Sequence, residues 1–421
     1  MRVGWRLLTP VQRATFTASF LGWTLDAFDF FLVVLVVPRI ATDFNQSIPN
    51  VAFAITITLM LRPLGALIFG MLADRFGRRG PLMVDIVLYS ALELATAFAP
   101  NFTTFLILRA LFGIAMGGEW GIGAALAMES LPSAARGLFS GILQEGYALG
   151  YLLAAVAFYL LFPHFGWRGL FIAGALPAVL VVYIRTRVPE SMAWQAQRER
   201  RVGQTSGLLA SIGRRPLLYL YAIALMAAFN FMSHGSQDLY PTFLQKQREF
   251  SVGVTSALTI VANLGAIAGG IYFGGLSQHL GRRRAIVTST LLGILAIPLW
   301  VFSPSIVLLG AGAFALQFFV QGAWGIVPAH LNELSPGDVR GTFPGFTYQL
   351  GNLISAGAAQ IEAAFAAGFK LPNGGANYAQ ALAIIMVVVF LAVAILTAIG
   401  HERRHVDFAT DTEPLPAPSS A

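Results

Sequence analysis

A stripe of polar side chains interrupts the second half of one long apolar run. Asn230, His234, Asp238 and Thr242 recur every four residues, so in a helix they share one slowly drifting face, with Gln237 beside it. Polar groups in a membrane helix cannot face lipid, so this stripe must face a cavity or another helix. Imidazole exchanges protons near neutral pH, and a carboxylate one turn away can hold a proton on it. We therefore predict that His234 and Asp238 handle a proton at a cavity, although a lone histidine is more often a packing residue.

Arg62 lies near the middle of another apolar run, with about 12 residues to either end, which is too deep for its side chain to reach a surface. A guanidinium at that depth needs an anion. A substrate carboxylate could bind it in a two-pronged hydrogen-bonded pair. The alternative counter-ion is a resident acid, namely Asp26, Asp29 or Glu145.

Acids elsewhere in the apolar runs are further candidates, because an ionisable group inside a membrane is costly and often functional. Asp29 and Arg109 are expected in the outer halves of their runs, where they could pair and form a proton carrier that responds to conformation. The alternative is a permanent ion pair that only joins two helices. We expect Glu93 and Glu362 to reach water, and Asp85 to pair with loop arginines.

Charged residues at the inner ends of the runs are interpreted as parts of a gate. The predicted gating residues are Glu129 with Arg136, Glu333 with Arg340, and Asp74, clamped to Arg79, with the neighbouring Arg75 and Arg78. Two further polar residues, Tyr147 and Gln349, are candidates for contacts that select substrate size. Gln349 follows Glu145 by 204 positions, so the two could flank one cavity from opposite halves.

The composition requires a membrane around these residues. Of 421 residues, 56% are hydrophobic and 11% are charged, whereas a soluble protein has about 25% charged residues. This excludes a soluble enzyme, a disordered protein and a nucleic-acid binder, since the basic residues form no single patch. The sequence has no cysteine and no GxxxxGK[ST] loop, and no nucleophile–base pair stands out. We expect no metal, no cofactor and no enzymatic activity.

Twelve apolar runs are long enough to cross a bilayer, which needs about 20 residues each. They lie near 14–38, 49–73, 80–99, 103–128, 138–162, 167–186, 216–241, 252–277, 285–302, 306–330, 342–366 and 378–400. With a cytoplasmic N-terminus, cytoplasmic segments hold 20 arginines and lysines and outer loops hold five, which favours that orientation. We predict a protein of the cell (inner) membrane with both termini in the cytoplasm. The first run is too long for a signal peptide and is expected to be retained.

The two halves of the chain repeat each other at a fixed offset of 204 residues. The series Gly70, Asp74, Gly77, Arg78, Arg79 recurs as Gly274, Gln278, Gly281, Arg282, Arg283, and Glu129, Pro132, Arg136, Gly137 recurs as Glu333, Pro336, Arg340, Gly341. Such parallel repeats place a substrate at the midplane between them. The predicted domains are a six-helix bundle over 1–186, a cytoplasmic linker over 187–215, a second six-helix bundle over 216–400 and a disordered tail over 401–421.

These motifs resemble those of the major facilitator superfamily. The resemblance rests on Gly70-x3-Asp74-Arg75-x-Gly77-Arg78-Arg79 with its second copy, and on Arg109-x3-Gly113-x3-Gly117. It implies an all-α membrane protein of twelve transmembrane helices in two pseudo-repeats. The span near 138–162 lacks the Gly-Pro of drug:proton antiporters, which disfavours that branch.

The polar stripe itself is similar to the Asn-x-x-Ser/Thr-His-x-Ser/Thr-Gln-Asp-x-x-x-Thr signature of the Jen-type monocarboxylate:proton symporters, within the sialate:H⁺ symporter family. This resemblance implies that Asn230, His234, Asp238 and Arg62 handle substrate and proton. The predicted function is proton-coupled symport of a short monocarboxylate, lactate or pyruvate, by alternating access. Its partners would be a small organic anion, a proton and the lipid bilayer, and the chain would work as a monomer. The alternatives are symport of sialic acid, a dicarboxylate or an aromatic acid, and a membrane nutrient sensor that does not transport.

Overall fold

The computed structural model describes residues 4–200 and 207–411. Part of the predicted linker (201–206) and the end of the predicted tail (412–421) lie outside the described residues. So do Arg2 and Arg201, which contributed to the charge count. Within the described residues the chain is helical, apart from loops and one isolated β-bridge between Lys370 and Ala376.

The helices follow the apolar runs, with interruptions inside several of them. In chain order they are α1 (Pro10–Asp43), α2 (Ile48–Phe76), α3 (Arg79–Ala97), α4 (Phe102–Met116), α5 (Glu119–Ser130), α6 (Arg136–Gln144), α7 (Gly146–Ala173), α8 (Ala178–Arg187), α9 (Met192–Arg200), α10 (Leu208–Arg214), α11 (Pro216–Gln237), α12 (Tyr240–Thr242), α13 (Val252–Leu280), α14 (Arg282–Val301), α15 (Ile306–Trp324), α16 (Val327–Leu334), α17 (Phe343–Ser355), α18 (Ala358–Gly368) and α19 (Tyr378–Ile399). A π-helical turn, Phe243–Gln247, extends α12.

All twelve predicted spans are present. Ten helical segments in the described part of the chain are long and apolar enough to cross a membrane. One of them, Arg136–Arg187, contains two spans, because Gly166 has a φ of 61° and breaks the helix between them. The twelfth span consists of α17 and α18, which are 13 and 11 residues long and meet at a break. The fold is therefore all-α, with six spans in each half.

Small residues bring α4 against α2 and so fix the position of Arg62. A Cβ added to Gly113 would lie 2.3 Å from the carbonyl oxygen of Thr58, and one added to Gly117 would lie 2.1 Å from that of Arg62. The Thr58 hydroxyl also donates a hydrogen bond to the carbonyl oxygen of Arg109, at 3.0 Å. Only glycine permits this backbone contact, which holds Arg62 in the middle of the first half.

The two halves are joined at one end of the bundle, formed by the loops 77–78 and 281 and by the chain after 400, which we call the basic face. The backbone N–H of Gly341 donates to Asp74 Oδ1 at 2.6 Å, and that of Gly137 donates to Gln278 Oε1 at 3.0 Å. These two bonds are related by the 204-residue offset. The Thr342 hydroxyl adds a third bond, to Asp74 Oδ2 at 2.6 Å.

A cavity of about 300 Å³ lies between the halves away from the basic face. It reaches from Glu145 and Gln321, near the middle of the bundle, to Trp300, one residue before the end of α14. The structure thus has a conformation that is closed at the basic face and holds its cavity on the opposite side.

Residues 401–411 pack against the basic face, so the prediction of disorder over 401–421 is wrong for this part. The Phe408 ring is buried, with the guanidinium of Arg136 at 3.6 Å and that of Arg340 at 4.2 Å from its centroid. Arg136 also donates to the carbonyl oxygen of Val406 at 2.8 Å, and Arg340 pairs with Asp411 at 2.9 Å. The segment is held because two apolar side chains and two cation–π contacts anchor it.

Candidate functional site

The predicted proton pair on α11 is formed. His234 Nδ1 lies 3.1 Å from Asp238 Oδ2, and His234 Nε2 lies 3.4 Å from Asn352 Oδ1 on α17. The two side chains are 33% and 36% exposed. They lie at the end of α11 away from the basic face, and neither is among the described residues that line the cavity, where they had been predicted. An imidazole between a carboxylate and an amide oxygen can donate to both when it carries two protons.

Two other members of the stripe differ in their surroundings. Asn230 is buried and its amide donates to the carbonyl oxygen of Met226 on its own helix, at 2.8 Å. The amide therefore turns back along α11 in this conformation. Gln237 lines the cavity and donates to Gln317 Oε1 on α15, at 3.3 Å. Of the two amides, only Gln237 faces the cavity.

The counter-ion of Arg62 is Asp26 on α1. Arg62 Nη2 lies 2.8 Å from Asp26 Oδ2, and the two side chains are 5% and 1% exposed. The counter-ion is therefore a resident acid, which was the alternative to a substrate carboxylate in the sequence analysis. The pairing is incomplete, because Arg62 Nε and Asp26 Oδ1 have no hydrogen-bond partner among the described residues.

Two tyrosines lie close to the pair of Arg62 and Asp26. Tyr147 on α7 and Tyr348 on α17 are both close enough to Arg62 and Asp26 to interact electrostatically, and Tyr147 is similarly close to Asp238. Tyr147 lines the cavity, as predicted for a size-selecting residue. Gln349 is buried, with both side-chain polar atoms unpartnered among the described residues, and it does not line this cavity.

The predicted pair of Asp29 and Arg109 is not formed. Arg109 pairs with Glu93 on α3 and donates to the Thr96 hydroxyl at 3.0 Å. Both carboxylate oxygens of Asp29 are buried without a partner among the described residues. Glu93 and Arg109 lie on either side of the short turn between α3 and α4, and that antiparallel spacing was a signal for their contact.

The expectations for three further acids were wrong. Glu93 is fully buried and does not reach water. Glu362 is 1% exposed, and Asp85 is fully buried without the predicted loop arginine. Apolar periodicity places each acid on a helix, but it does not specify how the helix is rotated toward its neighbours.

The residues predicted to form a gate lie at the basic face, but their partners differ from the predicted ones. Arg78 pairs with both Asp74 and Glu129, at 2.9 Å each, and Arg282 pairs with Glu333 at 2.9 Å. The predicted pairs Glu129–Arg136 and Glu333–Arg340 are therefore wrong.

The remaining loop arginines bind backbone or stack on a ring. Arg136 and Arg340 donate to the carbonyl oxygens of Met128 and Asn332, again 204 residues apart. The predicted Asp74–Arg79 clamp is also wrong, since Arg79 donates to the carbonyl oxygen of Arg185. Arg75 stacks on Phe76, 5.2 Å from the ring centroid.

Charge compensation at this face is strong. Burial disfavours the charge of Arg78, yet Glu129 and Asp74 outweigh it, so the pKa of Arg78 is raised. The guanidinium thus remains charged and, through Asp74 and Glu129, holds α2, the following loop and α5 together.

The cavity contains one ionisable carboxyl, Glu145, which the site prediction omitted. It lies at the junction of α6 and α7 and is 8% exposed. The other polar lining consists of amides and hydroxyls, and none of the described lining residues is Arg, Lys or His. A cavity of about 300 Å³ is at the lower end of the range for small-molecule sites.

Comparison with known proteins agrees with this architecture. The model of the major facilitator superfamily matches residues 19–360. The chain belongs to the major facilitator superfamily. It is a multi-pass membrane transporter and not an enzyme, as are the superfamily members it matches.

The most similar relatives include three proteins named for organic acids. A carboxylic acid transporter protein homolog of Saccharomyces cerevisiae is 32% identical, over 94% of this chain and 69% of its own length. The sialic acid transporter NanX of Escherichia coli is 27% identical over 96% and 97%, and a cis,cis-muconate transport protein of Acinetobacter baylyi is 26% identical over 83% and 86%. A solved structure of the proton:xylose symporter XylE shares the fold, with a TM-score of 0.69 at 17% identity over 90% of this chain and 94% of its own.

Proposed function

We propose that this transporter carries a short monocarboxylate, lactate or pyruvate, together with a proton. The observation that carries the proposal is the His234–Asp238 pair, 3.1 Å apart and one third exposed, with the imidazole also 3.4 Å from Asn352 on α17. The relative named as a carboxylic acid transporter supports an organic acid as the substrate class. A pair of this kind can take a proton from water and share hydrogen bonds with a hydroxy or keto acid.

Arg62 is the proposed anchor for the substrate carboxylate, by exchange of partners. A substrate that reaches Arg62 would replace Asp26, whose Oδ1 is already unpartnered among the described residues. Asp26 could leave the guanidinium cheaply only by taking up a proton, since an unpaired buried carboxylate is costly. Anion binding and proton binding would thereby depend on each other, as symport requires. Asn230 and Gln237 would complete the contacts to the substrate.

The proposed orientation puts the basic face in the cytoplasm, because most arginines lie there. The present conformation would then be the outward-facing one, ready to load substrate. Rocking of the two halves would close the cavity and open the basic face. One proton with one monoanion is electroneutral, so the pH gradient would drive uptake by about tenfold accumulation per pH unit. Because one chain contains both halves and the cavity, we propose that the monomer is functional.

The test is uptake into proteoliposomes of the purified protein, with a panel of labelled acids and an imposed pH gradient. Lactate or pyruvate should accumulate when the outside is acidic, and a protonophore should abolish the accumulation. Uptake of neither acid, with transport of another member of the panel, would overturn the substrate assignment.

A second candidate is a larger organic acid. The relatives named for sialic acid and for cis,cis-muconate favour it. The same panel decides between the two, because N-acetylneuraminate and cis,cis-muconate can be included beside lactate and pyruvate.

A further inference from the structure

Glu145 lies on the line of closest contact between the two halves. Gly137, Gly141 and Glu145 recur every four residues, so they share the face that α6 turns toward α13. A Cβ added to Gly141 would lie 2.3 Å from the carbonyl oxygen of Gly270, and one added to Gly270 would lie 2.0 Å from Glu145 Oε1. The carboxyl group therefore sits directly above a backbone-to-backbone contact between the halves, which we call the glycine seam (Gly137 and Gly141 with Gly270 and Gly274).

No cation compensates this carboxyl group in the described structure. Oε1 is buried and accepts no hydrogen bond from the described residues. The polar side chains that line the same cavity are neutral: Gln144 on α6, Tyr147 and Tyr151 on α7, Ser236 and Gln237 on α11, Tyr240 on α12, Thr259 and Asn263 on α13, and Gln317 and Gln321 on α15. On α1, the Trp23 indole donates to the carbonyl oxygen of Gln144, next to Glu145. An ionised carboxylate is costly in such surroundings, so the closed seam favours the neutral form of Glu145.

We propose that Glu145 is the group on which the coupling proton crosses the membrane. This inference rests on the proposed function and adds to it the carrier residue. Glu145 takes the proton from water in the cavity that it lines, and holds it as a carboxylic acid while the seam is closed. When the halves rock and the basic face opens, the seam separates and water reaches the carboxyl group. Its O–H bond then breaks, the proton passes to that water, and the carboxylate remains until the seam closes again.

The repeat has this acid in one half only. The position 204 residues later holds Gln349, which has the same shape but cannot titrate. A Glu145→Gln substitution therefore introduces a side chain that the fold already accepts at the equivalent place. It should give a folded transporter that behaves as if permanently protonated.

A distance measurement tests this without any substrate. The chain has no cysteine, so Ala134→Cys and Arg284→Cys, both exposed at the basic face on opposite sides of the seam, can be spin-labelled alone. In the otherwise unchanged protein, the label distance should lengthen as the pH rises, because ionised Glu145 disfavours the closed seam. In Glu145→Gln the short distance should persist at every pH, whereas Asp238→Asn should keep the pH-dependent lengthening.

Transport supplies the second measurement, with lactate as the probe. Glu145→Gln should retain lactate exchange at equal pH on both sides but lose accumulation under a pH gradient, from about tenfold per unit to none. Glu199→Gln, an exposed acid on α9, is the matched control and should behave as the wild type. A label distance in Glu145→Gln that follows pH as in the wild type overturns the inference, as does a wild-type distance that ignores pH. Absence of proton-coupled lactate uptake in the wild type overturns the proposed function instead, and the distance experiment still decides on Glu145.

Discussion

At the scale of single residues, the site contains two buried or half-buried ion pairs with different accessibility. The His234–Asp238 pair is one third exposed, whereas Arg62 and Asp26 are almost completely buried. The exposed pair can exchange protons with surrounding water without any rearrangement. The buried pair must open before a substrate can reach the guanidinium. The two pairs therefore suit different steps, proton uptake for the first and anion recognition for the second.

Asp238→Asn tests the role of the His234–Asp238 pair in proton uptake. The substitution keeps the shape of the side chain but removes the charge that holds a proton on His234, 3.1 Å away. We expect accumulation of lactate under a pH gradient to fall at least tenfold, while exchange of lactate at equal pH is partly retained. Unchanged accumulation against a gradient in proteoliposomes would exclude the pair from proton handling.

Arg62→Lys and Arg62→Ala test the second role, recognition of the substrate anion by Arg62. Lysine keeps the charge and its bond to Asp26 but loses the planar two-pronged donor, so lactate affinity should fall strongly while folding is preserved. Alanine leaves Asp26 buried and unpaired, which should cost about 3–5 kcal/mol of stability. Thermal unfolding with and without lactate measures both effects. Full stabilisation of Arg62→Ala by lactate would contradict the role of Arg62 as the carboxylate anchor.

At the scale of elements, three layers of contacts hold the basic face closed. The symmetric bonds of Asp74 and Gln278 join the loops of the two halves, and the glycine seam joins α6 to α13. The chain after α19 adds the third layer, because Phe408 lies between one arginine from each half. All three must separate when this face opens.

Asp74→Asn should loosen the first layer. The amide can still accept from Gly341, but it loses the ion pair with Arg78, 2.9 Å away. The maximal rate of transport should fall several-fold with little change in substrate affinity. Initial rates of uptake over a range of lactate concentrations separate the two parameters, and a loss of affinity at a normal maximal rate would contradict the gate.

Phe408→Ala should loosen the third layer and shift the equilibrium toward the conformation in which the basic face is open. It removes a buried ring and two cation–π contacts, each of about 0.5–2 kcal/mol, from the closed conformation only. The label pair at positions 134 and 284 should then show a larger fraction of the long distance at any pH. His401→Ala, an exposed change in the same segment, is the control and should leave the distribution unchanged.

At the scale of the whole molecule, the repeat determined how much could be predicted. Apolar run length located the twelve spans. The 204-residue offset matched the loop motifs of the two halves, because it depends only on residue types in sequence. It could not give partners: Glu129 bonds with Arg78, which is 51 residues away, and not with Arg136, seven residues away. The partner of each charged group depends on how the packed helices are rotated and on their depth in the membrane. Apolar periodicity does not specify either.

The same limit applies to Glu145 and to the last described residues. Glu145 was recognised as a possible counter-ion of Arg62, but its position above a glycine seam appears only when α6 and α13 are in contact. The segment 401–411 was judged by its Pro, Ser and Ala neighbours, although Val406 and Phe408 alternate with polar residues and are buried. That alternation was the available signal.

The central claim is the coupling of one proton to one short monocarboxylate, and simultaneous fluxes test it most directly. Wild-type proteoliposomes would hold a pH-sensitive dye, with the membrane voltage clamped by potassium and valinomycin, and labelled lactate would be added outside. The account predicts internal acidification by one proton per lactate, at a rate that does not change with the clamped voltage. Lactate uptake without acidification, or uptake that a protonophore leaves unaffected, would contradict it.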